Sequence, residues 1–196
     1  MFVQEFHGKI RDRDLWTRQM DRWRDEIRPN AEGFLGSTAG VTSDGTMVAV
    51  ACFENEQLAR AHSEKPEQSA WFDEMSKAFD GELTFHDYTD VDLYRDGVTN
   101  DAHFVQVMQG HAKDMAAMRS MEQQFESQLA QLRPDLLGTV TGWEPNGDFT
   151  SIAFFSSEQE ARANERATSD DPSFREYMSQ VDGEMTFYDL REPMFA

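Results

Sequence analysis

The sequence has little cysteine, little positive charge and no long apolar run. Cys52 is the only cysteine, so no disulfide can form within the chain, and its apolar neighbours predict a buried thiol that packs as a small hydrophobic group. No stretch approaches the roughly 18 apolar residues of a membrane-spanning helix. The residues Phe2 to Phe6 predict a strand and lack the basic and apolar regions of a signal peptide. We therefore expect a reduced, cytoplasmic protein.

Acidic residues dominate the charge. The chain carries 37 acidic and 18 basic residues, which gives a formal net charge of −19. This charge repels phosphate backbones and anionic membrane surfaces. The arginines between positions 11 and 28 form no basic patch, because acidic residues are interleaved with them. We expect neither nucleic acid nor membrane as a partner.

The chain consists of two copies of one module. When the sequence is aligned on itself with an offset of 102 residues, matches run from end to end of each half. The stretch 91–102 has no counterpart and contains the turn residues Asp96 and Gly97. The alignment predicts a first module over 1–90, a linker over 91–102 and a second module over 103–196. The clearest matches pair Phe2-Val3-Gln4 with Phe104-Val105-Gln106, Ala59-Arg60-Ala61 with Ala161-Arg162-Ala163, and Asp80-Gly81-Glu82 with Asp182-Gly183-Glu184.

Each module predicts the element order β-α-β-β-α-β. An apolar stripe at helical spacing follows the first strand in both copies. Asp44-Gly45 and Asn146-Gly147 then predict hairpin turns, because type I′ turns need positive φ at both positions. A second helical stretch restarts at a proline in each copy, and Gly81 and Gly183 are expected to end it. The stripes comprise Trp16, Met20, Trp23 and Ile27 in the first copy and Met115, Met118, Phe125, Leu129 and Leu132 in the second.

This order is the ferredoxin-like pattern of an antiparallel sheet with helices on one face. The strands are apolar on both sides, so the helix-free face also needs cover. The expected fold is therefore α+β, with two ferredoxin-like modules packed sheet to sheet as a fused, pseudo-dimeric α/β barrel. Such a chain would be a monomer or would pair further as a homodimer.

One stretch of each module has three features in common: a strand that ends in an aromatic residue, a short helix rich in alanine, and a second helix that begins at proline. The residues are Phe53 to His62 with Pro66, Trp71 and Phe72, and Phe155 to Ala163 with Pro172 and Phe174. Both stretches resemble the antibiotic-biosynthesis-monooxygenase (ABM-like) domains of the dimeric α/β-barrel superfamily. The resemblance implies a tandem ABM-like protein, and it implies a cofactor-independent monooxygenase that acts on a hydrophobic, quinol-like small molecule.

The first module has more side chains that could act in catalysis or ligand binding than the second. His62 lies on the apolar face of its helix, and the resemblance makes it the candidate base or hydrogen-bond donor, with Trp71 and His7 lining the pocket. The second module has Asn164, Ser173 and Gln109 at these positions. Haem binding with His62 as the iron ligand, and a non-catalytic binding role, remain open alternatives.

A metal site is not expected. His7 and His86, which we place on opposite outer strands, could meet His62, but they share no short ligand motif. We therefore expect no metal, and no cofactor apart from the haem alternative.

Overall fold

The computed structural model describes residues 1–95 and 97–196, which form two compact units. The first comprises Met1–Thr89 and Met194–Ala196, and the second comprises Asp90–Pro193. Asp96, which the sequence assigns to a linker turn, lies outside the described residues. None of the helices among the described residues is long and apolar enough to cross a membrane.

The first unit has the predicted βαββαβ order, with its second helical stretch in two pieces. Asp12 and Asn55 cap the first two helices by accepting hydrogen bonds from backbone N–H groups. Beyond the first helix, a π-helical turn and a 3₁₀ turn carry the chain to residue 30. The elements are β1 (Phe2–Ile10), α1 (Arg13–Arg22), β2 (Phe34–Val41), β3 (Thr46–Phe53), α2 (Glu56–Ser63), α3 (Pro66–Ser76) and β4 (Phe79–Tyr88).

The second unit repeats this order and adds a strand in front. Asp114, Ser157 and Asp171 cap its three helices, and Pro172 begins the last of them, as the sequence predicts. Its long first helix ends directly before Arg133 and Pro134. The elements are β5 (Asp90–Tyr94), β6 (Phe104–Ala112), α4 (Met115–Leu132), β7 (Leu136–Trp143), β8 (Asp148–Phe155), α5 (Glu158–Thr168), α6 (Pro172–Met178) and β9 (Val181–Leu190).

Each unit contains one antiparallel sheet of five strands. The strand orders are β10-β2-β3-β1-β4 and β5-β7-β8-β6-β9, where β10 is Met194–Phe195. Gly45 and Gly147 have φ of 82° and 96° in the two predicted hairpin turns. The two ferredoxin-like modules are thus confirmed, while the packing of sheet on sheet stays a prediction.

Two boundaries differ from the sequence analysis. The first residues of the expected linker form β5, which pairs with β7 along five residues, because an open sheet edge favours a further strand. Gly81 and Gly183 do not end helices. They lie inside β4 and β9 at φ of 85° and 71°, where the pairing with β1 and β6 shifts register.

Apolar side chains pack beneath the helices on one face of each sheet. In the first unit one cluster joins the tryptophans of α1, the π-helical turn and α3 to Met47 and Ala49 of the sheet. In the second unit the corresponding apolar residues lie in two separate clusters. Cys52 is buried, as predicted, and burial raises the pKa of its thiol to about 12, so the thiol stays protonated and unreactive.

Candidate functional site

His62 and Trp71 line one small cavity between the helices and the sheet of the first module. The cavity measures about 90 Å³. Trp23 lies between them, with its ring 6.3 Å from the His62 ring and 6.3 Å from the Trp71 ring. Small-molecule sites usually measure roughly 300–1,000 Å³, so this space is too small for a ligand of ordinary size.

His62 is buried, and burial favours the neutral form of its ring. It is 4% exposed, and both ring nitrogens are buried. The pKa of His62 is lowered because burial disfavours the imidazolium, and the nearby charge of Lys65 lowers it further. The ring packs at 5.8 Å from Phe53. His62 therefore has the chemistry of a base, but it has almost no free space beside it.

Trp71 is a core residue of the first module. Its indole N–H donates a hydrogen bond of 2.7 Å to the carbonyl oxygen of Gln19 on α1. The residue is 5% exposed and belongs to the same cluster as Trp16 and Trp23. Trp71 thus ties α3 to α1.

His7 does not meet His62 and Trp71. Gln4 and Phe6 of β1 line the small cavity, and because side chains alternate along a strand, His7 points to the opposite face of the sheet. There it lies beside Glu5 and His86, with His7 Nδ1 2.9 Å from Glu5 Oε1. His7 and His86 are on neighbouring strands, β1 and β4, and not on opposite outer strands as the sequence analysis expects.

The second module holds a much larger cavity, of about 390 Å³, at the equivalent place. The difference follows from the side chains that the two copies carry. Where the first module has Trp16, Trp23 and Trp71, the second has the smaller Met118, Phe125 and Ser173. The lost indole volume leaves a gap between the two apolar clusters of the second module. This cavity is large enough for a small molecule.

Glu122 and Tyr177 form a polar pair in the wall of this cavity. Glu122 lies on α4, in line with the apolar residues Met118 and Phe125, and Tyr177 lies on α6. The Tyr177 hydroxyl donates a hydrogen bond of 2.6 Å to Glu122 Oε1. The pKa of Glu122 is raised, because burial disfavours the carboxylate more strongly than the tyrosine hydrogen bond favours it. A carboxyl group with a raised pKa in a cavity is a candidate acid or base.

An ion-paired arginine and a tyrosine hydroxyl add further polar groups. Arg119 donates to Asp90 and Asp92 at 2.7 Å each, so its charge is largely balanced, and the pKa of Arg119 is raised by these hydrogen bonds. The hydroxyl of Tyr94, on β5, is buried and has no hydrogen-bond partner among the described residues. Since a buried hydroxyl is rarely left unpaired, Tyr94 is well suited to bind a polar group of a ligand.

Sequence reasoning missed Glu122, Tyr177 and Tyr94. The signal for the first two was present in the internal repeat, because Glu122 and Tyr177 align with Met20 and Met75. A charged residue in place of a core methionine indicates a polar site. Tyr94 lies in the expected linker, so the repeat offered no partner for it.

Solved structures of other proteins share this fold of two ferredoxin-like modules. A proposed monooxygenase from Lactobacillus acidophilus shares it with a TM-score of 0.75 at 12% identity, over 100% of this chain and 98% of that chain. A proposed monooxygenase from Fusobacterium nucleatum gives a TM-score of 0.74 at 11% identity, over 96% and 90%. An anthrone oxidase-like protein gives 0.66 at 11% identity, over 100% and 93%. No protein-family profile and no curated protein matches the sequence. The resemblance read from the sequence is thus confirmed for the fold.

The raised pKa of Glu122 makes stability depend on pH. The folded carboxyl keeps its proton above the pKa of 4.5 that it has in the unfolded chain. Between pH 4.5 and the raised pKa, the folded state therefore binds more protons than the unfolded chain. The free energy of unfolding falls as the pH rises through this range. We expect Glu122→Gln to raise the melting temperature at pH 8 and to leave it unchanged at pH 4. Glu126→Gln, at the exposed neighbour Glu126, is the control variant. A Glu122→Gln effect that is equal at pH 4 and pH 8 would contradict the assignment.

Proposed function

We propose that the second module binds a flat, hydrophobic, quinol-like small molecule and oxidises it with dioxygen, with Glu122 as the base. The observation that carries the proposal is the Glu122–Tyr177 pair in a cavity of about 390 Å³. A largely apolar cavity with a few polar groups and a perturbed pKa is the usual form of a small-molecule site. The fold shared with an anthrone oxidase-like protein supports this class of reaction.

The substrate class is an aromatic compound with a methylene group between two rings and a phenolic hydroxyl nearby. Glu122 removes a proton from the methylene carbon, and the resulting carbanion spreads its charge onto the aromatic oxygens. Dioxygen forms a bond to that carbon and takes up its electron pair, and the resulting peroxide takes the proton back from Glu122. The hydroperoxide that results loses water and leaves a ketone, so one substrate and one O₂ give one quinone and one H₂O.

The cavity residues have separate roles in this scheme. The raised pKa of Glu122 makes the carboxylate a stronger base than an exposed glutamate. Tyr177 fixes the orientation of Glu122 through its hydrogen bond. The buried hydroxyl of Tyr94 can donate to the oxygen on which charge develops. The apolar walls, which include Met118 and Phe149, exclude water from the carbanion.

Haem binding is not the function that the geometry favours. It would need an open apolar slot beside His62, and the cavity there is about 90 Å³. The neutral imidazole of His62 is enclosed by aromatic rings on two sides. We therefore place the chemistry in the second module and leave His62, Trp71 and His7 outside the proposed reaction.

Filling the cavity should block the ligand. Phe125→Trp introduces the residue that the first module has at this position, Trp23, so the fold can accept it. When the ligand is bound, the larger ring would overpack the cavity, which costs about 1–3 kcal/mol. We therefore expect the Kd for a dihydroxyanthraquinone probe to rise at least about tenfold. Calorimetric titration measures the change. The reverse variant, Trp23→Phe, is the matched control and should leave the Kd unchanged. If Trp23→Phe alters the affinity and Phe125→Trp does not, the ligand binds in the first module.

A further inference from the structure

A second group of chemically active residues lies outside the proposed oxidation site. Glu5 and His7 are two residues apart on β1, and His86 is paired with Glu5 on the neighbouring strand β4. All three side chains therefore point to the helix-free face of the first sheet. Their candidate ligand atoms all lie within 4.8 Å of one another. We propose that these three residues bind a divalent first-row transition-metal ion.

The donor set suits such an ion. Two imidazoles and one carboxylate bind Zn²⁺ in metalloproteases and Fe²⁺ in non-haem oxygenases. Three protein ligands leave at least one position for water or a small ligand. Donor atoms around a tetrahedral ion at ~2.0–2.1 Å are about 3.3 Å apart. Movements of about 1 Å by each side chain are therefore enough to bring the three donor atoms to this spacing.

The burial of Glu5 supports a cation at this place. Glu5 is 0% exposed, and taking a carboxylate out of water costs several kcal/mol unless other charges compensate for it. Its side chain lies 2.9 Å from His7 Nδ1. A bound divalent cation at this place would also compensate for the charge of the carboxylate.

Stacking contacts fix the orientation of the two histidine rings. The His7 and His86 rings stack with a centroid distance of 6.0 Å and an interplanar angle of 17°. His86 stacks in turn on Tyr88 at 6.3 Å and 10°, and Tyr88 is only 2% exposed. A ring that is fixed in this way loses little conformational freedom when it binds a metal.

The second module provides a natural comparison. The positions equivalent to Glu5, His7 and His86 hold Val107, Gln109 and Tyr188. The Tyr188 hydroxyl donates to Gln109 Oε1 at 3.4 Å. The same backbone thus carries a metal-binding set in one copy and a set without good metal ligands in the other. No short motif marks the site, because its ligands come from two strands that are far apart along the chain.

The test is metal binding by the full chain after treatment with a chelator. We expect calorimetric titration to give one Zn²⁺ per wild-type chain, and Co²⁺ to give a ligand-field spectrum. His7→Gln and His86→Tyr introduce the residues of the second module, so both variants should fold. Each should weaken the binding of Zn²⁺ at least about 100-fold, since even the partners of metal ligands contribute 10- to 100-fold.

His103→Gln changes an exposed histidine of the second unit and is the control, because it should leave both the stoichiometry and the affinity unchanged. Absence of stoichiometric Zn²⁺ binding by the wild type would overturn the proposal. Retention of wild-type affinity in both His7→Gln and His86→Tyr would also overturn it, since the ion would then bind to other groups of this acidic chain. Neither result depends on the oxidation reaction, so the two proposals can fail separately.

Discussion

Glu122→Gln is expected to lower kcat for a dihydroxyanthrone about 10²- to 10⁴-fold, which is the usual contribution of a general base. Glutamine has nearly the same shape and can still accept the hydrogen bond from Tyr177. The variant therefore removes the proton acceptor and keeps the packing. Oxygen consumption and quinone absorbance measure the rate, and one O₂ should be used for each quinone formed.

The pH dependence separates a base from a structural residue. Because the carboxylate is the active form, the rate of the wild type should rise as the pH increases through the raised pKa of Glu122. Glu122→Gln should lose this rise. The control is His62→Ala, which should keep both the rate and the pH profile of the wild type. If instead His62→Ala abolishes turnover and Glu122→Gln does not, the reaction belongs to the first module.

The fold was largely predictable because two independent signals agreed. The offset of 102 residues showed two copies, and within each copy the Asp44-Gly45 and Asn146-Gly147 turns fixed the hairpin. Pro66 and Pro172 begin helices as predicted. The added edge strands β5 and β10 could not be predicted, because a short strand of ordinary composition is determined by the sheet edge that it meets.

The candidate site was harder to predict than the fold. The sequence directed attention to His62, His7 and Trp71 because histidine and tryptophan are common in active sites. Whether such residues have space beside them depends on packing, and the three tryptophans of the first module fill the space that the second module leaves open. Because successive side chains of a strand point to opposite faces of the sheet, His7 lies away from His62 and Trp71. The useful signal was a polar residue at a core position, as with Glu122.

Asn164 shows how a divergence between the copies can have a structural cause. It occupies the position of His62, and from the sequence alone this change indicates the loss of a reactive side chain. In the structure its side-chain amide donates a hydrogen bond of 2.7 Å to Asp135 Oδ1. Asp135 also accepts hydrogen bonds from Arg133 at 2.9 and 3.2 Å. The position thus connects α5 to the turn before β7.

Asp135→Ala is expected to lower the free energy of unfolding by about 3–5 kcal/mol, because removal of one partner leaves a buried charge uncompensated. The side chains of Asp135 and Arg133 are 1% and 11% exposed, so water can replace little of what is lost. Arg133 lies over the Phe155 ring at 5.1 Å and lines the cavity of the second module. The loss of its partner should therefore also loosen the cavity wall. Urea denaturation followed by circular dichroism measures the change.

Glu56→Ala is the matched control for this prediction. It removes an ion pair of similar length, in which Arg60 lies 2.6 Å from Glu56, but the two side chains are 61% and 43% exposed. Water screens such a pair, so we expect a loss of no more than about 1 kcal/mol. Equal losses in the two variants would mean that burial does not decide the energy of the Arg133–Asp135 pair. A large loss confined to Asp135→Ala would instead show that the buried Arg133–Asp135 pair, to which Asn164 donates a hydrogen bond, stabilises the second module.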